Sequence, residues 1–417
     1  MEQRVVITGL GAITPVGNHV EDTWKNLVEG NCGIDFIKGW DEYNLPVKVA
    51  GQIKNFDQSE YELNAGLARR SDRFCIYAMA AAADAMKDSG LKSGENIEPE
   101  RLGVYIGSGI GGMDTFVNQT LVMANEGVGR ISPFFVPMMI SNIASGNVAI
   151  SHNAQGVCLP VVTACATGTH AAGEAYRAIK HGYADAIITG GAEASVHPLS
   201  IGGFANSKAL SRSEDPLQAS LPFSADRHGF VIAEGAGMMV FESLESAQKR
   251  GAKIYAEVVG YGNSCDAHHF TAPRPDGIPA SRAIKQALDE AQFDIEKDLL
   301  YINAHGTGTP LNDAAETKAI KLAMGEENAK KAMITSTKSI TGHMLGATGA
   351  VELIASALSL HHGIVTPTIG LTNPDPECDL DYTPLKARKA DLTVAISNSL
   401  GFGGHNACVA LRKWENK

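Results

Sequence analysis

The sequence predicts an α/β protein built from two similar halves. Helical and strand-like segments alternate along the chain, and the same order of elements occurs twice. In each half the tripeptide Ala-Thr-Gly opens a small-residue helical segment and His-Gly closes it. The glycines of the two motifs are 14 residues apart in both halves, at 168 and 182 and at 349 and 363. Two matches in the same order favour an internal duplication, which we divide into residues 1–250 and 251–417.

The elements follow from apolar runs, small-residue stretches and glycine-containing turns. In the first half we predict strands at 4–8, 102–106, 157–162, 185–189 and 232–242, helices at 20–29, 68–89, 140–150 and 171–182, and irregular segments at 30–62 and 211–230. In the second half we predict strands at 252–261, 299–303, 364–365, 394–397 and 407–411, and helices at 280–291 and from the second Ala-Thr-Gly to 362.

Composition excludes several classes of protein. A net charge of -11 argues against a general nucleic-acid binder. The seven cysteines are scattered without a CxxC pair, so neither a disulfide framework nor a zinc site is favoured. The N-terminus is a strand and turn rather than a signal peptide, and no run approaches the roughly 18 apolar residues of a membrane span. We therefore expect a cytoplasmic protein that does not associate with membranes.

Cys165 has the setting of a nucleophile. The predicted strand at 157–162 leads into a turn, and Cys165 stands one residue before the first Ala-Thr-Gly helix. The free N–H groups and the dipole at a helix start favour the thiolate over the thiol. The alternative is a buried structural cysteine.

The second half supplies histidines. His305 lies in NAHGTGTP, and Lys338 and His343 lie in TKSITGH. Both histidines adjoin glycine at the end of an apolar segment, where α/β sheets usually present functional loops, although lone histidines are often structural. His343 is four residues before the second Ala-Thr-Gly. If the copies pack about a pseudo-twofold axis, this histidine and Cys165 reach one pocket.

A glycine-rich loop, NSLGFGGHN at 398–406, joins the last two predicted strands. Its backbone can aim an N–H group at a substrate oxygen, or it can simply form a tight hairpin.

The motifs TACATGT, NAHGTGTP, TKSITGHMLGATG and NSLGFGGHN occur in the order found in the β-ketoacyl-acyl carrier protein synthases, which the chain resembles from residue 4 to residue 411. The length and the insert before Cys165 resemble the elongating members of bacterial fatty-acid synthesis. The resemblance implies a thiolase-like fold, with duplicated α/β halves in five αβαβα layers. It also implies decarboxylative condensation of an acyl-enzyme with malonyl-acyl carrier protein, no metal or redox cofactor, and a homodimer.

The resemblance also assigns roles to residues. Cys165 would carry the acyl thioester, and its backbone N–H with that of Phe402 would form the oxyanion hole. His305 and His343, as neutral imidazoles, would stabilise the enolate. Lys338 would support them with Glu352 as its partner. The implied substrate contacts are Thr271, Thr307 and Thr309 on the pantetheine arm, and Ile110 and Phe402 along the acyl tunnel.

Two positions depart from the family pattern: Leu400 replaces a common phenylalanine and His405 a common threonine. Leu400 could alter the gating loop and therefore chain-length preference, whereas His405 is not expected to be catalytic.

An acidic carrier protein requires a local basic patch on an acidic enzyme. The candidates are Arg69, Arg70, Arg73, Arg130, Lys208 and Arg212.

Three alternatives remain. Residues 107–112 match GxGxxG after a strand, the fingerprint of a nicotinamide-dependent reductase, but no acidic residue ends a strand about 20 residues later. A non-catalytic chain-length factor would share the fold, yet such proteins normally lack the cysteine. A degradative thiolase uses a second cysteine near the C-terminus, but Cys408 lies inside a predicted strand.

Overall fold

The computed structural model describes residues 2–415; residues 1, 416 and 417, at the outer ends of the two predicted halves, lie outside the described residues. The strands are β1 (Val5–Ile13), β2 (Asp35–Phe36), β3 (Val49–Ala50), β4 (Leu102–Gly107), β5 (Cys158–Leu159), β6 (Ala186–Glu193), β7 (Gly235–Ser243), β8 (Ala256–Cys265), β9 (Leu300–Asn303), β10 (Met333–Thr335), β11 (Ile364–Val365), β12 (Arg388–Lys389), β13 (Val394–Gly401) and β14 (His405–Lys413). The helices are α1 (Val20–Glu29), α2 (Ala65–Ala68), α3 (Arg73–Ser89), α4 (Met113–Glu126), α5 (Phe135–Met139), α6 (Ile143–Ser151), α7 (Thr167–Lys180), α8 (Pro198–Asn206), α9 (Leu244–Lys249), α10 (Ile278–Glu290), α11 (Pro310–Met324), α12 (Glu326–Ala329), α13 (Lys338–Thr341) and α14 (Thr348–His362). Short 3-10 turns include Ala164–Ala166 and Leu345–Ala347.

A ten-stranded mixed sheet joins the two halves, in the order β10-β9-β13-β14-β8-β1-β7-β6-β4-β5. The five strands β5-β4-β6-β7-β1 and the five strands β10-β9-β13-β14-β8 repeat one pattern, with two parallel pairings followed by two antiparallel ones. The halves meet where β1 pairs antiparallel with β8. The predicted duplication of the α/β unit is confirmed.

Helices occupy three layers around the two sheet halves. Helices α7 and α14 pack against strands of both halves, with alanine and leucine side chains in one shared core. Helices α3 and α6 cover the outer face of the first half, and α10 and α11 cover that of the second. This is the predicted five-layer αβαβα arrangement.

The two central helices touch at their first turns, through the glycines of the Ala-Thr-Gly motifs. A Cβ atom on Gly168 would lie 2.7 Å from the Ala350 nitrogen, and one on Gly349 would lie 2.1 Å from Thr169 Oγ1. Only glycine permits this approach, because a side chain at either position would overlap the other helix. The contact brings the N-terminal ends of α7 and α14 to one place.

The first predicted strand was too short, because its glycines were interpreted as a turn. Strand β1 continues through Gly9 and Gly11 to Ile13. A Cβ atom at either glycine would lie about 2 Å from a carbonyl oxygen of helix α3, at 2.1 Å from Ala85 and 1.9 Å from Ala81. These glycines therefore serve close packing between helix and strand.

Other boundaries differ from the prediction. The long helix predicted from residue 68 breaks into α2 and α3. Of the apolar run at 157–162, only Cys158 and Leu159 pair with β4. Helix α4 was not predicted, because several of its apolar side chains, such as Phe116 and Leu121, face solvent and form no stripe toward the core.

Among residues 2–415, no helix combines the length and apolar character needed to cross a membrane.

Candidate active site

Cys165 lies in the 3-10 turn immediately before helix α7. The preceding residue, Ala164, has a left-handed backbone with φ of +50°, which is costly for a residue with a Cβ atom. The Thr163 N–H donates to Thr167 Oγ1 at 2.9 Å and supports the turn from inside the helix. The turn holds the sulfur at the edge of a cavity of about 340 Å³.

Backbone N–H groups at the helix start favour the Cys165 thiolate, as predicted, but burial has the larger effect on its pKa. Burial raises the pKa of the Cys165 thiol to about 11, because protein surrounds the sulfur and disfavours its charged form. Lys338 and the backbone N–H groups of Phe402 and Cys165 act in the opposite direction, but burial outweighs them. The resting sulfur is therefore a thiol at neutral pH, with two backbone N–H groups close to it.

His305 and His343 line the same cavity as Cys165. Their ring centroids are 5.4 Å apart, with the ring planes nearly perpendicular at 84°. His343 Nδ1 lies 3.0 Å from Thr348 Oγ1, on the first residue of α14, so its Nε2 is the ring nitrogen left for a ligand. The duplication thus brings the nucleophile turn and the second histidine motif together, as expected from the spacing.

Both imidazoles are neutral. Burial lowers the pKa of His305 and of His343 well below 6.5, and the nearby Lys338 ammonium lowers each further. A neutral imidazole has one N–H group, which can donate a hydrogen bond to a substrate oxygen. Unlike an imidazolium, it does not readily give up that proton. His305 Nδ1 is buried without a hydrogen-bond partner among the described residues.

Glu316, on helix α11, fixes the loop that carries His305. Its carboxylate accepts the backbone N–H of His305 at 2.7 Å and that of Gly306 at 2.8 Å. Burial raises the pKa of this carboxyl to about 7 despite these hydrogen bonds. Sequence reasoning missed Glu316, because a carboxylate that binds backbone N–H groups belongs to no motif.

Lys338 and Glu352 form a buried ion pair behind the histidines. The Nζ to Oε1 distance is 2.5 Å, and each side chain is only 1% exposed. Burial raises the pKa of Glu352 to about 7, and Lys338 opposes this effect. The ammonium therefore has its own counter-ion while it adds to the effect of burial on the pKa of both imidazoles.

Phe402 lies in the turn between β13 and β14, beside Cys165. It lines the main cavity and also a second, apolar cavity of about 310 Å³ that includes Ile110 and Phe204. Its ring packs at 6.2 Å from that of Phe204. The position makes Phe402 the wall between the two spaces.

The predicted substrate contacts divide between the two cavities. Thr307 and Thr309 line the main cavity, with their hydroxyls 3.0 Å apart, and Thr271 borders both cavities. Leu400 lines the main cavity but not the second one. His405 lines neither; its ring lies 6.2 Å from that of His170.

The GxGxxG motif holds a carboxylate rather than a phosphate site. The N–H groups of Gly109 and Ile110 donate to the buried Glu193, at 2.8 and 3.2 Å. Because a protein side chain occupies these donors, the motif offers no cradle for a pyrophosphate. This observation argues against the nicotinamide-dependent reductase.

The six predicted carrier-protein contacts are not equivalent. Five of them are exposed: Arg69, Arg70, Arg130, Lys208 and Arg212. The sixth, Arg73, is partly buried and pairs with Asp114 at 2.5 Å and with Glu234 at 3.0 Å. Since two carboxylates neutralise Arg73 in a partly buried setting, its prediction as a carrier-protein contact needs correction. Arg130 also has a partner, Glu126 at 3.6 Å, but both side chains of that pair are exposed. Lys208 lies at the main cavity itself.

Known protein families account for most of the chain. The β-ketoacyl synthase N-terminal domain matches residues 2–247, and the β-ketoacyl synthase C-terminal domain matches residues 255–372.

Close relatives and solved structures extend over nearly the full length. A 3-oxoacyl-[acyl-carrier-protein] synthase 2 of Staphylococcus aureus (strain COL) is 52% identical over 413 residues, covering 99% of both chains. The protein of the same name from Synechocystis sp. is 49% identical over 415 residues, again covering 99% of each. A solved complex of a type II PKS acyl-carrier protein with its ketosynthase bound to the hexaketide is similar with a TM-score of 0.91 and 34% identity, covering 100% of both chains.

Proposed function

The chain belongs to the β-ketoacyl synthase family, and we propose that it is an elongating condensing enzyme of fatty-acid synthesis. It joins an acyl group held on Cys165 to malonyl-acyl carrier protein, with release of carbon dioxide. The observation that carries this proposal is the single cavity shared by Cys165, His305 and His343.

The first step transfers the acyl group to Cys165. The sulfur attacks the thioester of an acyl carrier protein, a carbon–sulfur bond to Cys165 forms, and the bond to the carrier breaks. The cysteine proton ends on the released carrier thiol. The backbone N–H groups of Cys165 and Phe402, which both act on the sulfur in the resting protein, are suited to hold the oxyanion of this step.

The second step makes the new carbon–carbon bond. Malonyl thioester loses carbon dioxide, and the electron pair of the broken bond forms an enolate whose oxygen accepts hydrogen bonds from His305 and His343. The enolate carbon attacks the acyl carbonyl on Cys165, and the carbon–sulfur bond breaks with its electron pair on the sulfur. The product leaves on the carrier, and the thiolate takes one proton from water to restore the thiol. The neutral state of both imidazoles supports this role, since each retains an N–H donor. The two steps balance in atoms and electrons without a metal or redox cofactor.

The acyl chain occupies the second cavity. Ile110, Phe204 and Phe402 give that space an apolar lining, and it adjoins the main cavity at Phe402. The polar side chains of Thr271, Thr307 and Thr309 suit the amides of a pantetheine arm that reaches Cys165 through the main cavity.

Acyl carrier protein docks beside the main cavity, on the exposed basic residues. Lys208 at the cavity, with Arg69, Arg70, Arg130 and Arg212, would attract an acidic partner although the whole chain is acidic. The carrier protein in the solved ketosynthase complex supports this partner.

A second copy of the chain covers the edge strand β5 and its surroundings, in a homodimer. The exposed apolar side chains between residues 113 and 162 are Phe116, Leu121, Met123, Val128, Phe134, Val136, Ile150, Leu159 and Val162. An apolar surface of this kind next to an unpaired sheet edge favours a homodimer contact. All seven cysteines are free, which fits a reducing cytoplasm.

Two alternatives on the same fold are less well supported. A non-catalytic chain-length factor has no use for a cysteine facing two histidines. A degradative thiolase needs a second cysteine at the site, but Cys408 is fully buried inside β14 and lines neither cavity.

The test is condensation with purified protein, an acyl-acyl carrier protein and malonyl-acyl carrier protein. Wild type should form the β-ketoacyl product, Cys165→Ala should lose acylation and condensation, and Cys165→Gln should retain malonyl decarboxylation. Condensation by Cys165→Ala would overturn the assignment. A fluorescence titration with reduced nicotinamide cofactor should detect no binding, and saturable binding would favour the reductase.

A further inference from the structure

Several buried acids have no task in the proposed reaction, and one of them, Glu193, holds a turn beside the apolar cavity. Glu193 ends strand β6 and is 0% exposed, yet its carboxylate does not face either cavity as a lining group. We propose that Glu193 is a positioning residue that sets the turn at Ile110, and thereby the acceptance of long acyl chains, while joining that turn to the segment after His343. This inference rests on the proposed function, because it concerns the acyl chain of that reaction.

The carboxylate is fully occupied by donors. Oε1 accepts the Ser108 hydroxyl at 2.9 Å, the Ile110 N–H at 3.2 Å and the Ser195 hydroxyl at 3.2 Å. Oε2 accepts the Gly109 N–H at 2.8 Å and the Gly346 N–H at 3.1 Å. These donors are backbone N–H groups and hydroxyls, so hydrogen bonds rather than a cation hold this buried charge.

These hydrogen bonds link the two halves of the molecule. Gly109 and Ile110 follow strand β4 of the first half, whereas Gly346 lies in the turn between His343 and helix α14 of the second. A Cβ atom on Gly346 would lie 2.5 Å from the Gly109 nitrogen. The carboxylate therefore holds two backbone segments in direct contact, one of which carries a residue of the acyl cavity.

Ile110 connects this hydrogen-bonded turn to the apolar cavity. Its side chain lines the apolar cavity beside Phe402, while its backbone N–H is bound to Glu193. Because the other donors on Oε1 are hydroxyls, Ile110 is the only backbone donor to that oxygen. Loss of its acceptor would free the turn next to the acyl chain.

The Glu193→Gln variant distinguishes the hydrogen bonds accepted by Oε1 from those accepted by Oε2. An amide oxygen in the place of Oε2 still accepts from Gly109 and Gly346, and the amide nitrogen can donate to the Ser108 and Ser195 hydroxyls. The Ile110 N–H alone then lacks an acceptor. The reverse orientation loses two backbone hydrogen bonds and is disfavoured.

The experiment compares acyl transfer to Cys165 from a long-chain acyl carrier protein and from acetyl carrier protein, by intact mass. In Glu193→Gln, the ratio of kcat/KM for the long chain to that for acetyl should change by about two- to tenfold, the effect of one backbone hydrogen bond. Malonyl decarboxylation, measured in a Cys165→Gln background, should change by less than about twofold, because the Gly346 side is kept.

Glu242→Gln is the matched control. Glu242 is also 0% exposed but pairs with Arg250 away from both cavities, so its loss should lower stability without altering the chain-length ratio. If Glu193→Gln slows both acyl lengths equally, or lowers only the unfolding temperature, the residue is structural and the proposal is overturned.

Ser108→Ala covers the case in which Glu193→Gln fails to fold. Ser108 donates to Glu193 and accepts the Gly111 N–H at 2.9 Å, so its loss loosens the same turn more mildly. The ratio should shift in the same direction, and an unchanged ratio in a folded Ser108→Ala protein would overturn the proposal. Failure of the wild type to condense would instead contradict the proposed function.

Discussion

The turns before helices α7 and α14 have nearly the same backbone and different chemistry. Each is a 3-10 turn whose first residue is left-handed without being glycine, with φ of +50° at Ala164 and +47° at Leu345. Aligned on Ala-Thr-Gly, Cys165 corresponds to Gly346. The same alignment places Val162 opposite His343. The two copies therefore kept the geometry of the turn and divided the nucleophile and the histidine between them.

The loops after β4 and β9 extend the comparison. Each binds a buried carboxylate through two successive backbone N–H groups, Glu193 in the first half and Glu316 in the second. The first loop presents Ile110 to the apolar cavity, and the second presents His305 to the main cavity. The same type of support thus positions a residue of the apolar cavity in one copy and a histidine of the main cavity in the other.

Cys165→Ala and Gly346→Ala should differ most, since they alter equivalent positions. Cys165→Ala should lose condensation by roughly a thousandfold or more with little change in unfolding temperature. Gly346→Ala adds a Cβ atom 2.5 Å from the Gly109 nitrogen, so it should lower the free energy of unfolding by about 1–3 kcal/mol. Thermal melts and condensation assays on both proteins check this; a fully stable Gly346→Ala would show that the contact is not tight.

His343→Val gives the second copy the side chain that the first copy has at Val162. Because the proposed mechanism makes His343 a hydrogen-bond donor to the enolate, malonyl decarboxylation should fall by about 10²- to 10³-fold. The assay uses a Cys165→Gln background, so that acyl transfer does not contribute. His152→Gln, at a half-buried histidine outside both cavities, is the control and should decarboxylate normally. An undiminished rate in His343→Val would remove this histidine from the mechanism.

Lys338 and Glu352 form an ion pair of the second half, whereas Glu193 of the first half is held by hydrogen bonds. Lys338→Met leaves Glu352 buried without its partner and should destabilise the protein by about 3–5 kcal/mol. The double variant Lys338→Met with Glu352→Leu removes both charges and should recover much of that loss. Denaturant unfolding measures both proteins, and equal destabilisation would mean that packing rather than charge is responsible.

His170 in α7 corresponds to Val351 in α14, which allows a test of pH dependence. Burial lowers the pKa of His170 to about 4, so the unfolded chain binds a proton below pH 6.5 that the folded chain does not. Stability from the neutral imidazole is present above pH 6.5 and is lost as pH falls toward 4. Relative to His170→Val, wild type should lose about 3 kcal/mol across this window. Unfolding curves at pH 7 and pH 4.5 measure the difference, and a constant difference would contradict it.

Leu400→Phe should have the smallest effect. Since Leu400 lines the main cavity with His305 and His343 but not the cavity of Ile110, a larger side chain should narrow the malonyl site. The KM for malonyl-acyl carrier protein should rise by up to about tenfold, and the ratio of long to short acyl substrates should stay the same. A changed ratio would restore the expectation that Leu400 governs chain length.

Much of the fold could be predicted because the duplication repeats its signals. Helix α1 at Val20–Glu29 and helix α14 ending at His362 match the prediction. Strand β1 and helix α4 were misjudged for physical reasons that a single sequence conceals. In the sequence, the β1 glycines that allow close packing of a helix backbone resemble the glycines of a turn. The apolar residues of α4 face solvent, so they do not recur at the spacing of a buried helix face.

The candidate site could be predicted where chemistry leaves a motif, as at Cys165 and His305. It could not be predicted where carboxylates bind backbone N–H groups across long sequence distances, as at Glu193 and Glu316. The pKa of Cys165 also depended on burial that the helix start does not reveal.

The close approach of helices α7 and α14 at Gly168 and Gly349 fixes the cysteine turn and the histidine turn relative to each other. Because a Cβ atom at either glycine would overlap atoms of the other helix, the distance across the site is set at this central crossing and not in the outer helix layers. The peripheral segments between β4 and β5 can therefore diverge in evolution and retune the substrate while the reaction centre stays in register.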